Sequence, residues 1–355
     1  MHPFKIYKKR KVLITGHTGF VGSWLALWLH KLGAKVIGYS LPPPTTPNHF
    51  EVLNLNIISI INDVLDLEGL KRTLFEFKPE VIFHLAAQPL VRKSYLEPYY
   101  TFNVNVTGTL NLLEAVREAK DFVKAVVIIT SDKCYENKGF VWGYREIDPL
   151  GGKDPYSASK ACAEIVTSSY RASFFPLEEY NISHTTLIAT ARAGNIIGGG
   201  DWGEDRLIPD IMRALAENKR VKIRNPHSVR PWQYVLDVIQ GYLLLGAKLF
   251  LGERDFSCAW NFGPIDFKAH RVIEVVEKIK ELCPELEYEI VSESNPMHEA
   301  PYLRLDPSQA VNLLGWRPIY SFDKALEETI RWYKTFYKEG KILSEKQLEN
   351  YLKKL

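Results

Sequence analysis

The sequence predicts an α/β protein built on a doubly wound parallel sheet, with a smaller C-terminal α/β lobe beside it. Three observations predict it. Short apolar, β-branched runs alternate with helical periodicity from residue 11 to about residue 193, the pattern of parallel strands joined by crossover helices. The first run passes directly into a glycine-rich turn and then a helix. A later run, Ala125–Ile129, ends in four polar residues, and ligands of parallel sheets meet the carboxyl ends of strands.

The composition narrows the possibilities. The chain has 355 residues, 46% of them hydrophobic and 25% charged, which is ordinary for a globular protein with a large core and two lobes. A net charge of +3 gives no field that would draw nucleic acid or a membrane surface. No apolar run approaches a membrane span, and the N-terminus lacks the apolar core of a signal peptide. The four cysteines, Cys134, Cys162, Cys258 and Cys283, form no Cys-x-x-Cys, so neither a metal site nor a disulfide framework is expected. The expected setting is cytoplasmic, with no nucleic-acid or membrane partner. Lys8–Lys11 reads as a solvated N-terminal edge.

Taken in order, Lys11–Thr15 is the first strand. It runs into Gly16-His17-Thr18-Gly19-Phe20-Val21-Gly22 and the helix Ser23–Leu32. The glycines permit a tight turn and close approach of a pyrophosphate, and the helix N-terminus attracts it. Gly16, Thr18, Gly19, Phe20, Val21 and Gly22 are therefore candidate cofactor contacts. The next strand, Lys35–Tyr39, ends at Ser40 where a simple NAD fingerprint has Asp or Glu; no Arg follows closely, so this position does not separate NAD from NADP. Pro42–Pro47 is a stiff loop. The third strand, Ile57–Asp63, leads to Asp63 and Val64; Asp63 either accepts from an adenine amino group or caps its loop. A helix over Leu67–Phe77 precedes the fourth strand, Val81–Leu85, which ends in Ala86-Ala87-Gln88. Leu85, Ala86 and Ala87 offer small residues beside a cofactor ribose, and Gln88 is a substrate candidate. Pro98–Lys120 reads as one long helix with Asn103, another cofactor candidate, and Asn105 near its start.

The fifth strand delivers Thr130-Ser131-Asp132-Lys133, and Tyr156-Ser157-Ala158-Ser159-Lys160 follows. Tyr156 and Lys160 share one face of a helix at i,i+4. A phenol ionises near pH ~10; a neighbouring ammonium favours the phenolate, so Lys160 is expected to lower Tyr156 into use as a base. A sixth strand over Thr185–Ala191 leads into Arg192–Trp202. Helices are expected from Arg206 to Asn218, over Val235–Phe250, Phe267–Leu282 and Asp323–Tyr337, with a late strand at Trp260–Gly263. The charged tail Gly340–Leu355 reads as a surface helix.

The glycine loop, Ser131 after the fifth strand, and Tyr156-x-x-x-Lys160, in that order, resemble the nucleotide-sugar branch of the extended short-chain dehydrogenase/reductase superfamily. Thr130–Asn137, Gly151–Ser157, Arg192–Trp202 with its Gly-Gly-Gly-Asp-Trp, and His298-Glu299-Ala300 are similar to the CDP-sugar 4,6-dehydratases within it. The resemblance spans about residues 8–335. It implies a Rossmann-like domain holding NAD, formed by residues 1–193 with about 231–263. It implies a nucleotide-sugar lobe formed by about 194–230 with 264–355, CDP-glucose as substrate, and a homodimer or higher homo-oligomer.

Internal 4,6-dehydration needs oxidation at C4, removal of the C5 proton, protonation of the departing C6 hydroxyl, and hydride return to C6. Tyr156 suits the first base, Ser131 a hydrogen-bond partner of the C4 oxygen, and Lys160 the nicotinamide ribose. Asp132 and Lys133 add two titratable groups at the same strand end. By resemblance Asp132 is the acid for the leaving hydroxyl. Lys133, standing where dTDP- and GDP-sugar dehydratases carry Glu, is the candidate C5 base. The resemblance puts phosphate on Arg230 and Arg304; Arg206 and Asn195 are further candidates, with Asp201, Trp202 and Tyr234 in the same substrate set. Trp202 and Trp232 line the pocket or belong to the core. His298-Glu299 is assigned to the pocket wall, not to a metal. A 4-epimerase, another nucleotide-sugar dehydratase and a non-catalytic NAD-binding regulator remain alternatives; the Asp132-Lys133 pair argues against the epimerase, and an intact Tyr-x-x-x-Lys against the regulator.

Overall fold

A computed structural model describes residues 3–266, 270–291 and 302–355. β1 (Lys11–Thr15) is followed by α1 (Phe20–Lys31), β2 (Lys35–Ser40), α2 (His49–Leu53), β3 (Ile58–Ile61), α3 (Leu67–Phe77) and β4 (Val81–His84). Then come α4 (Val91–Leu96), α5 (Pro98–Phe102), α6 (Gly108–Glu118), β5 (Ala125–Ile129), α7 (Pro155–Phe174) and β6 (Leu187–Ala193). The second half adds β7 (Asn195–Ile197), α8 (Leu207–Ala216), β8 (Val221–Ile223), β9 (Val229–Arg230), β10 (Trp232–Tyr234), α9 (Val235–Phe250) and β11 (Ala259–Phe262). It closes with β12 (His270–Arg271), α10 (Val272–Leu282), β13 (Tyr288–Ile290), α11 (Phe322–Glu339) and α12 (Ser344–Leu352).

Seven parallel strands form the central sheet in the order β11-β6-β5-β4-β1-β2-β3. Strand order reverses between β1 and β4, so the crevice at their carboxyl ends is the topological switch point. One face of the sheet packs against α1, α9, α11 and α12, through Trp24, Trp28, Leu243 and Trp332. The other packs against α3, α6 and α7, through Leu70, Leu112 and Val116. Continuous burial of Val12–Ile14 and Val81–Phe83 explains why these strands read as unbroken apolar runs. The second lobe is made of two-stranded pairings, β10 with β7, β12 with β9 and β13 with β8, beside α8 and α10.

Four differences from the sequence reading have physical causes. The helix expected over Pro98–Lys120 contains a π-helical turn, Asn103–Thr107, which shifts the facing of every residue after it. β6 lies two residues later than expected, because the hydroxyls of Thr185 and Thr186 are tied to the carbonyl of Lys120 and that of Thr186 also to Val123. Arg192 is thereby a strand residue inside the sheet. The helix expected from Phe267 is α10, starting at Val272; residues 267–269 lie outside those described. The tail is no surface helix: Leu348 and Tyr351 of α12 are fully buried, and Tyr351 donates to Asp237 Oδ1 at 2.6 Å and packs edge-on against Trp28.

Candidate active site

A cleft of about 1250 Å³ runs along the carboxyl ends of the strands and into the second lobe. Its floor at β1 is the glycine turn. Gly16 has φ +76, and a Cβ there would lie 2.7 Å from the Ala86 nitrogen; a Cβ on Gly22 would lie 2.1 Å from the Gly16 carbonyl oxygen. Only glycine allows the turn, the β4 end and α1 to close on one another. Gly19 by contrast has nothing nearer than the Gly16 oxygen at 3.4 Å, leaving the space above it open. Thr18 Oγ1 bonds Ser40 Oγ at 2.8 Å and donates to the Leu41 carbonyl at 2.9 Å, tying the turn to the end of β2. Asp63 Oδ1 accepts from the Leu65 nitrogen at 3.0 Å and so caps its loop, while still lining the cleft with Val64. Leu85, Ala86 and Ala87 form the adjoining wall.

The next part of the cleft is built by β5 and α7. Asp154 caps α7, accepting from the Ser157 nitrogen at 2.9 Å, and Pro155 opens the helix, so Tyr156 and Lys160 sit in its first two turns. Beyond β5 the chain makes a short turn over Asp132–Cys134. Ser131 Oγ donates to Asp132 Oδ1 at 3.0 Å, accepts from the Lys133 nitrogen at 3.2 Å and is hydrogen-bonded to Tyr156. Lys133 Nζ lies 3.3 Å from Asp132 Oδ1. Asp132 Oδ2 is buried with no hydrogen bond among the described residues. Ser131, Asp132, Lys133, Tyr156 and Lys160 all line this one region.

The expected lowering of Tyr156 by Lys160 is not what the structure holds. Burial pushes the phenol up to about 12, against the downward pull of its Ser131 bond and of Arg206. The Lys160 ammonium instead donates to the Ile129 carbonyl at 3.4 Å. Burial lowers Lys160 to about 8, partly countered by Glu164. Lys160 is thus charged and Tyr156 protonated at neutral pH.

At the lobe end, Asn195, Asp201, Trp202, Arg206 and Arg230 reach the cleft. Arg206 pairs with Asp201 at 2.8 Å, and the Asn195 Oδ1 is buried without a partner among the described residues. Trp202 and Trp232 serve both purposes, lining the cleft while packed into the core. Three expected contacts do not reach it. Tyr234 is core, its ring tilted against Tyr320 and its hydroxyl bonded to Gln347, because α12 and the segment before α11 pack over the end of β10. Arg304 is not among the lining residues and donates Nη2 to the Asp266 carbonyl at 3.3 Å. Asn103, the first residue of the π-turn, is not in the lining, and Asn105 two residues on is buried. Gln88 lines the cleft, but its amide is taken by Leu90 and Thr101, so it shapes the loop. His298-Glu299 lies outside the described residues.

Sequence reasoning missed several groups. Asn105 clamps the β4 end, accepting from the Gln88 nitrogen at 2.8 Å and donating to Ser159 Oγ at 2.8 Å; a small polar residue inside an apolar helix was its only signal. Tyr242 of α9 is fully buried and lines the cleft, its hydroxyl unpartnered among the described residues. Arg92 and Arg224 join the lobe end through Asp205, at 3.7 and 2.6 Å, and nothing in their local sequence announced it.

These features fit a bound dinucleotide. The open space above Gly19, the first turn of α1 with its unpaired N–H groups, and the small residues Ala86 and Ala87 form a cradle for phosphates and ribose. The buried cation at Lys160 lies further along the same cleft.

Comparison with known proteins gives the same picture. A family model described as GDP-mannose 4,6 dehydratase matches residues 13–329. The CDP-glucose 4,6-dehydratase of Salmonella typhimurium is 47% identical over 350 residues, covering 98% of this chain and 97% of that protein. The UDP-glucose 4-epimerase of Mycolicibacterium smegmatis is 29% identical, covering 91% of this chain and 98% of that one. Among solved structures, an epimerase of Methanothermobacter thermautotrophicus superposes with TM-score 0.81 at 27% identity, covering 98% of this chain and 97% of that chain. The UDP-glucose 4-epimerase of Thermus thermophilus in complex with NAD gives 0.77 at 26%, covering 91% and 99%. With its glycine turn, its Tyr-x-x-x-Lys helix and a family match over most of its length, the chain belongs to the GDP-mannose 4,6 dehydratase family of nucleotide-sugar enzymes, within the extended short-chain dehydrogenase/reductase superfamily.

Proposed function

We propose that the protein is an NAD-dependent CDP-glucose 4,6-dehydratase, a hydro-lyase converting CDP-glucose to CDP-4-keto-6-deoxyglucose. The observation that carries this is the near-full-length identity of 47% to a CDP-glucose 4,6-dehydratase; relatives named for dTDP-glucose fall to 28%. The convergence of Ser131, Asp132, Lys133 and Tyr156 on one cleft supports the same reaction class.

NAD held along the glycine turn Gly16–Gly22 and the wall of Leu85, Ala86 and Ala87 would supply a reversible hydride acceptor for C4 and donor for C6, with no net consumption. Tyr156 takes the C4 hydroxyl proton while Ser131 hydrogen-bonds the same oxygen. The phenolate depends on positive charge: Arg206 already lowers Tyr156, and Lys160 stands one helical turn away, where it also holds the nicotinamide ribose. The proton shared by the Lys133–Asp132 pair, 3.3 Å apart, passes to the carboxylate and leaves Lys133 a free amine. The 4-ketone acidifies the C5 proton, which that amine removes, and the Asp132 carboxyl gives its proton to the C6 hydroxyl as it leaves as water. Arg206, Arg230 and Asn195 orient the diphosphate and sugar, guanidinium forks suiting phosphate oxygens. In this assignment, residues 1–193 with about 231–263 hold the cofactor and the remainder holds the nucleotide sugar.

The test is incubation with CDP-glucose and no added reductant, followed by mass spectrometry of the nucleotide sugar. Loss of one water without net change in NAD is expected. An unchanged CDP-glucose, with dTDP-, GDP- or UDP-glucose consumed, would sink the assignment of the base while leaving the reaction class. The apolar surface of Leu96, Tyr99 and Phe102, with Ile165 and Phe174 of α7, supports a homodimer formed through these helices, measurable by light scattering. Four free cysteines suit a reducing cytoplasm.

A further inference from the structure

Behind the reacting groups lies a buried ion pair that the reaction as proposed leaves unused. Glu164, one helical turn beyond Lys160 on α7, and Arg192 on β6 are each 3% exposed, with Arg192 Nη2 2.8 Å from Glu164 Oε2. Desolvating two charges seldom returns net stability, so the pair calls for another reason. Its surroundings supply one. Glu164 Oε2 also accepts from Thr190 Oγ1 at 2.7 Å, and Oε1 accepts from the Thr130 hydroxyl. Arg192 Nη1 donates to Tyr135 Oη at 2.7 Å, and its guanidinium lies 4.9 Å from the centre of that ring. The carboxylate is thus held from the residue after β5 and from β6 at once.

Thr130 stands between Ile129, whose carbonyl receives the Lys160 ammonium at 3.4 Å, and Ser131. We propose that Glu164, braced by Arg192 and by the hydroxyls of Thr130 and Thr190, is a positioning residue that acts as the buried counter-charge keeping Lys160 protonated. This rests on the reading of Lys160 as the cation that supports Tyr156. Among the other titratable groups on elements packed against Lys160, Asp132 in the turn after β5 is paired with Lys133 at 3.3 Å, and Cys134, His84 and Tyr156 carry no negative charge at neutral pH. Burial raises the Cys134 thiol in the turn after β5. Burial lowers His84 of β4 to about 3, leaving it neutral. Tyr156, on the same helix, is protonated. Arg192 lies behind Glu164 and neutralises part of its field.

The experiment measures kcat of Glu164→Gln as a function of pH, together with the 15Nζ titration of Lys160 by NMR, assigned by its loss in Lys160→Met. Lys160 in Glu164→Gln is expected to lose its proton about one pH unit earlier, a tenfold change in the charged fraction at a given alkaline pH. The alkaline limb of kcat moves down with it, and the acid limb stays. Thr190→Val, which removes one hydroxyl and leaves the ion pair, keeps the fold and shifts both readouts less, in the same direction. An unchanged Lys160 titration in both variants overturns the proposal even if activity falls. Uniform loss of activity across pH with a lowered melting temperature assigns the pair to structure alone and overturns it too. If Lys160→Met retains full turnover, the role given to Lys160 fails, while the 15N titration still decides whether Glu164 holds its charge.

Discussion

The ammonium of Lys133 lies 3.3 Å from Asp132 Oδ1, while Oδ2 of the same carboxylate is buried without a hydrogen bond among the described residues. One oxygen is engaged and the other is buried and unpartnered among the described residues, in a residue that lines the same cleft as Lys133. A base and an acid acting on adjacent carbons need this kind of separation, the two protons being handled by different atoms.

The two roles are separable by experiment. Lys133→Ala should abolish wash-in of solvent deuterium at C5 and lower kcat by about 10²–10⁴-fold, the usual range for a lost acid or base. Asp132→Asn should slow water loss to a similar degree while C5 exchange continues. Mass spectrometry and proton NMR of the recovered nucleotide sugar read both. Exchange persisting in Lys133→Ala would remove that residue from the base role.

Tyr156→Phe should depress kcat by at least about 10²-fold and leave NAD content of the purified protein unchanged. The phenol ring is buried on α7 and the change deletes only its hydroxyl, so the fold stays. Undiminished turnover in this variant would favour the non-catalytic reading of the fold.

Gly16→Ala should abolish cofactor retention. The added methyl would lie 2.7 Å from the Ala86 nitrogen at a φ of +76, a conformation costing an L-residue about 1–2 kcal/mol before any clash. Released NAD, assayed after denaturing the purified variant, gives the answer.

Stability should fall as pH drops below about 6.5. His49 and His84 are both lowered to about 3, in each case first by burial, so the unfolded chain binds protons that the folded one refuses. The loss begins below the unfolded histidine value and is complete only near the folded one. Asp237, which burial raises to about 6, works the other way between about 6 and its ordinary 3.8, gaining stability as it protonates. Two histidines with the larger shifts outweigh one carboxyl. At pH 5 each histidine costs about 2 kcal/mol, and melting curves at pH 7, 6 and 5 should show a decline of several degrees. A flat profile would contradict the burial of the two rings as neutral bases.

The sequence by itself determined the sheet, the glycine turn and most of the residues that meet at the cleft. These are properties of adjacent residues: apolar runs of strand length, glycines where no Cβ fits, and an i,i+4 pair on one helix face. Ser131, Asp132 and Lys133 were legible for the same reason, being the residues a parallel strand must deliver at its carboxyl end. Tertiary structure alone decided the rest. The π-turn at Asn103–Thr107 is a change of helical phase that no local residue announces, and Asn105 within it is buried against the end of β4. Tyr234 went to the core and α12 was drawn under it, because burial depends on what the rest of the chain places opposite. The charge state of Tyr156 came out differently from its spacing to Lys160, since desolvation is set by surroundings assembled from distant elements. Spacing decides which groups can meet, and only the packed interior decides which of them holds a proton.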